Sequence, residues 1–205
     1  FHARAQQDNK DSDYTSAIGW YQLYVSEFAD APNAGEMRFL LAELLYERGR
    51  FDEAAGHYSK AAQGERGADA AYAALLSKQR ANSTAALAEE ALAFARQYPQ
   101  HPESDRVLTK AAEDHFVAGK LDPAAAISRE VIERNPDTRL QRSAWVIIAS
   151  VTLQQQNWSE TETAASRALA LMTPEDSQYG DIQRGLDTAR YKQAESLRSN
   201  QQPDA

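Results

Sequence analysis

A phrase of seven residues recurs down this chain. Gly49-Arg50-Phe51-Asp52-Glu53-Ala54-Ala55 returns as Gly119-Lys120-Leu121-Asp122-Pro123-Ala124-Ala125, and Gln156-Asn157-Trp158-Ser159-Glu160-Thr161-Glu162 keeps the same slots more loosely. Each copy reads as a turn, one large apolar residue, a helix N-cap and then a helix. A unit of that size cannot bury its apolar face alone, so its neighbours must stack on it. Aligning the small residue after each turn gives Ala17, Ala54, Ala124 and Thr161, separated by 37, 70 and 37 positions. The gap of 70 conceals one degenerate unit, whose second helix runs from about Ser83 to Tyr98.

Composition agrees with a helical stack. The 205 residues include only nine glycines and seven prolines among abundant alanine, the best helix former. The net charge is −8, with cations dispersed among anions, which disfavours nucleic acid as a partner because phosphate recognition needs clustered Lys and Arg. No apolar run is long enough to span a bilayer. Without cysteine there is no disulfide, thiolate metal site or cysteine nucleophile. The first residues, Phe1-His2-Ala3-Arg4, start inside a helical pattern, and Gln202-Pro203-Asp204-Ala205 resembles the opening of another turn and helix. The expectation is a fragment of a longer protein.

The pattern predicts a partial pair over 1–29, then helices at about 34–47 and 52–63, 68–80 and 84–98, 103–117 and 122–134, 138–155 and 159–172, and a long helix at 176–199. Asp52, Ser83 and Asp122 are candidate N-caps, and Ser159 with Glu162 reads as a capping box. X-Pro steps at Pro32, Pro99, Pro102, Pro136 and Pro174 close the units, since the residue before proline avoids the α region. No strand pattern stands out.

With these slots assigned, the chain resembles the tetratricopeptide repeat (TPR) family. Leu41, Ala42, Leu45, Gly49, Phe51, Ala54, Tyr58 and Ala61 match one copy of its pattern. Leu108, Ala111, Ala112, Gly119, Leu121, Ala124 and Pro136 match a second, and Trp145, Ile148, Ala149, Trp158, Ala165 and Ala168 a third. The resemblance implies an all-α, right-handed superhelical solenoid of about five helix-turn-helix pairs. It forms one domain over 1–205, with units at 1–32, 33–66, 67–102, 103–136 and 137–174 and a terminal helix at 175–205. Longer second helices, Ala17 to Pro32 and Leu87 to Pro99, are similar to periplasmic repeat proteins of Gram-negative bacteria, which implies a periplasmic or outer-membrane-associated location, with a cytoplasmic one as the alternative. The family's carboxylate clamp is missing, because Phe39 and Glu43 stand where it needs polar and basic residues.

No catalytic motif is legible. His2, His57, His101 and His115 form no close ligand pair, and the adjacent acids Glu89-Glu90 and Glu113-Asp114 diverge on a helix. The chain is therefore read as non-enzymatic, with no cofactor and no metal. Trp145, Trp158, Phe51, Tyr58 and Phe94 fall in packing slots. First-helix residues without a packing role should face a concave surface: Phe39, Glu43, Tyr46 and Glu47, then Tyr72 and Lys78, then Arg106, Lys110, Glu113 and Phe116. The expected function is a scaffold that holds a protein or peptide partner on that surface. Two alternatives are a structural spacer and a polysaccharide-associated module whose Tyr46 and Tyr72 stack on sugar rings.

Overall fold

The computed structural model describes residues 10–64, 66–82 and 87–201. The readings at Phe1–Arg4, Ser83 and Gln202–Ala205 lie outside them. Among the described residues there are ten helices and no strand. They are α1 (Asp11–Glu27), α2 (Ala34–Glu47), α3 (Phe51–Ala61), α4 (Gly67–Arg80), α5 (Leu87–Gln97), α6 (Ser104–Val117), α7 (Leu121–Arg134), α8 (Thr138–Gln154), α9 (Trp158–Ala170) and α10 (Tyr179–Gln201). No helix is long and apolar enough to cross a membrane among these residues. The chain divides into two compact units, one ending at Glu103 and the other starting at Ser104.

Three turns share one backbone geometry. Gly49 and Gly119 adopt φ of 72° and 71°, and Gln156 adopts 57° without glycine's freedom. At each, the turn residue donates its N–H to a carbonyl three residues back. The following residue donates five residues back, Arg50 to Leu45, Lys120 to His115 and Asn157 to Thr152, each at 2.9 Å. This is the paired bonding that satisfies the last carbonyls of a helix. Asn82, with φ 56°, is the missing turn of the degenerate unit, and asparagine tolerates the left-handed region better than most residues. The turn positions 49, 82, 119 and 156 are thus separated by 33, 37 and 37 residues.

The aligned small residues are buried as expected: Ala17, Ala54, Ala124 and Thr161 are all at most 1% exposed. The caps differ from expectation. Helices α3, α7 and α9 begin at the large apolar residue, so Asp52, Asp122 and Ser159 sit inside the first turn and complement the helix dipole or face solvent. The capping box is formed by Asn157 and Glu160 instead. The Glu160 N–H donates to Asn157 Oδ1 at 3.3 Å, and Asn157 Nδ2 donates to Glu160 Oε2 at 3.0 Å.

In the first unit, α1 packs on α2, α2 on α3, α3 on α4 and α4 on α5. Its core joins Tyr14, Ala17 and Ile18 of α1 to Phe39, Leu41, Ala42, Leu44 and Leu45 of α2 and to Ala54, Tyr58 and Ala61 of α3. In the second unit, α6 packs on both α7 and α8, and α8 on both α9 and α10. Its core includes Leu108, Ala112, Val131, Ile148, Val151, Ala165 and Leu186. First helices therefore touch the next first helix here, which produces a continuous face of α6, α8 and α10.

Candidate functional site

In the first unit the structure takes one expected groove residue out of the surface. Phe39 is 5% exposed and belongs to the core, edge-on to Tyr58 with centroids 5.2 Å apart. The Arg66 guanidinium lies 3.7 Å from its ring centroid on the other side. What little of the ring stays exposed forms part of the wall of an open pocket. Glu47 accepts the Tyr14 hydroxyl at 2.8 Å, since α1 lies across this end of α2. Glu43, half-buried, lies near both Tyr21 and Tyr58. Burial, and then this carboxylate, holds the Tyr58 hydroxyl well above its ordinary range.

Tyr46 packs edge-on to Phe51 at 5.1 Å, and Tyr72 lies against Phe94 at 5.7 Å and His101 at 5.2 Å. Both rings pack within their own helix pairs and remain partly exposed. His101, its side chain 9% exposed, accepts the Glu103 N–H on Nδ1 at 3.2 Å and places Nε2 3.5 Å from Asp69. Lys78 reaches between α4 and α5 to Glu90 at 2.7 Å, occupying the slot that Leu45 fills in the preceding pair. That substitution is one reason the unit is degenerate in sequence.

In the second unit, Arg106 and Lys110 are exposed on α6, where Lys110 pairs with Asp114 four residues on. Glu113 is half-buried on the same helix. The residue that the groove expectation placed best is Phe116. It lines an open pocket of about 270 Å³ with Ala149, Ser150, Leu153 and Gln154 of α8, Thr161 and Ala165 of α9, and Ile182 and Gly185 of α10; Asp181 stands at the mouth. Counted from the turn residue, Glu43, Tyr46 and Glu47 occupy positions six, three and two before Gly49. Ser150, Leu153 and Gln154 occupy the same positions before Gln156, and Glu113, Phe116 and Val117 before Gly119. Four of the pocket's ten lining residues, Phe116, Ser150, Leu153 and Gln154, stand at these slots.

One slot that lines the pocket, Ala165, is filled differently in the first unit. Nine residues after the turn stands Tyr58 in one pair and Ala165 in the last; ten before it stand Phe39 and Val146. Tyr58 fills its slot against Phe39, whereas Ala165 lines the gap in the second unit; the first unit has its own open pocket of about 360 Å³ elsewhere, among Pro32, Gly35, Glu36, Phe39, Gly64 and Arg66. The floor is sealed by a buried polar contact, Thr161 Oγ1 donating to Thr152 Oγ1 at 3.1 Å. The surroundings offer an apolar hole with a polar rim and no convergent set of titratable groups. Among the described residues, no three His, Asp or Glu side chains are placed to hold a metal.

Comparison with protein-family models and with curated proteins finds no match to this chain.

Proposed function

We propose that this chain is a non-enzymatic scaffold of TPR type, a right-handed solenoid of helix pairs, that binds a protein segment on the face of its first helices. The observation that carries this reading is the open pocket lined by Phe116, Ser150, Leu153 and Gln154 of the first helices, with the 85% exposed Val117 next to Phe116 in sequence. Repeat arrays characteristically bind along such faces. The periplasmic location implied by the resemblance is part of the same proposal.

The test is a photo-reactive phenylalanine analogue placed singly at Val117, at Gln154 or at Arg167, the last on a second helix, in the full-length protein in its native cell. Adducts to one partner from Val117 and Gln154 but not from Arg167 are the expected result. Adducts from Arg167 alone would move the site to the second-helix face. No adduct from any position would favour a spacer.

A further inference from the structure

We infer that the pocket among α6, α8, α9 and α10 receives one large apolar side chain of a partner polypeptide, with a basic residue of the same segment lying against the carboxylates on either side. The inference rests on the scaffold reading and names the chemistry of its partner. Size sets the first half. A cavity of about 150 Å³ already admits benzene, and pockets for drug-sized molecules run from about 300 to 1,000 Å³. At about 270 Å³, with walls of Phe116, Leu153 and Ile182, the hole suits a leucine or phenylalanine side chain rather than a cofactor.

The chain itself shows what fills such a gap. Tyr58, nine residues after its turn, lies near Glu43, Tyr46 and Glu47, the counterparts of Ser150, Leu153 and Gln154, and Ala165 at its own slot leaves that space to be filled from outside. Charge sets the second half. Along α8 from Ser143 to Gln154 there is no charged residue, so the centre of the face is neutral. On α6, Glu113 lies one turn before Phe116. On α10, Asp181 stands at the mouth, bound only by an exposed pair to Arg184 three residues on. Exposed pairs of this kind are weak and easily shared. A cation on the partner therefore meets Asp181 on α10 and Glu113 on α6, where it competes with Arg184 and the exposed Lys110.

The experiment titrates capped alanine-based peptides into the 205-residue chain and reads chemical shifts by NMR. One peptide carries a leucine with an arginine four residues later. The others replace leucine with alanine, or arginine with glutamate. The leucine–arginine peptide should shift Ala149, Ala165 and Ile182. Losing the leucine should weaken binding about tenfold or more, and glutamate for arginine about fivefold. Two variants block the hole: Ala165→Tyr supplies the chain's own plug, and Ser150→Trp covers the mouth from a rim position should the first misfold. Both should abolish the shifts.

Shifts elsewhere on the first-helix face, insensitive to both variants, would overturn the anchor and leave the scaffold reading standing. No shift with any peptide would overturn the anchor, and cross-linking from Val117 would then decide the scaffold separately. Shifts at the same residues that grow with protein concentration alone would replace the foreign peptide with a second copy of the chain.

Discussion

Gln156 holds a left-handed conformation that glycine holds at positions 49 and 119, with the same two hydrogen bonds around it. A side chain in that region costs about 1–2 kcal/mol, partly offset by glycine's greater unfolded freedom of about 0.5–1 kcal/mol. Gln156→Gly should therefore stabilise the chain by about 0.5–1 kcal/mol in urea unfolding, and Gly119→Gln should destabilise it by a similar amount. A loss of stability in Gln156→Gly would show that its side chain contributes something the turn geometry does not. His57 carries a different signature. Burial, then Lys60, lowers its pKa below the ordinary 6.5, against a smaller opposing effect of Glu53. Its Nδ1 is buried without a hydrogen-bond partner. The unfolded chain takes up the proton near pH 6.5 while the folded chain resists it, so stability rises with pH through that window and falls as pH drops below 6.5. His57→Gln should flatten the Tm-against-pH curve between about pH 7 and 5. An unchanged slope there would assign the effect to other groups.

Helix limits were legible to within about three residues, because periodicity, X-Pro steps and turn glycines all speak locally. The caps were not, since Phe51, Leu121 and Trp158 serve as the first helical residue and as the core contact at once. Ser159 offers a capping-box pattern two residues too late, and only the path of the backbone selects Asn157. Asn82 hid the fourth turn because asparagine reads as an ordinary loop residue unless its φ is known. Packing between elements separates glycines that look alike in sequence. A Cβ at Gly67, where α4 starts, would stand 2.7 Å from the Ala62 carbonyl oxygen, whereas one at Gly56, within α3, would meet nothing within 4 Å. Gly67→Ala should cost about 1–3 kcal/mol through the backbone shift it forces. Gly56→Ala should gain about 0.5–1 kcal/mol from helix propensity. Equal effects in thermal melts would mean the α3–α4 junction is looser than the structure shows.

At the scale of the whole molecule, what the sequence could not disclose was which first-helix faces remain open. Phe39 is packed between Tyr58 and Arg66, and Glu47, though exposed, accepts a hydrogen bond from Tyr14 of α1, contacts from residues distant in sequence. The second unit opens at Ala165, a small residue that by itself reads as close packing; the signal was the contrast with Tyr58 at the equivalent slot. Each unit has its own apolar core and its own solution to that slot. In arrays where each element contacts mainly its neighbours, a lesion spreads by nearest-neighbour interfaces instead of unfolding everything at once. Leu41, fully buried in α2, tests this directly. Leu41→Ala should cost about 2–5 kcal/mol locally. In hydrogen exchange, amides of α1 to α3 should lose protection by orders of magnitude while those of α8 and α9 change little. Uniform loss across both units would show that the chain unfolds as one cooperative body, and the pocket's stability would then depend on the first unit's aromatic core as much as on its own walls.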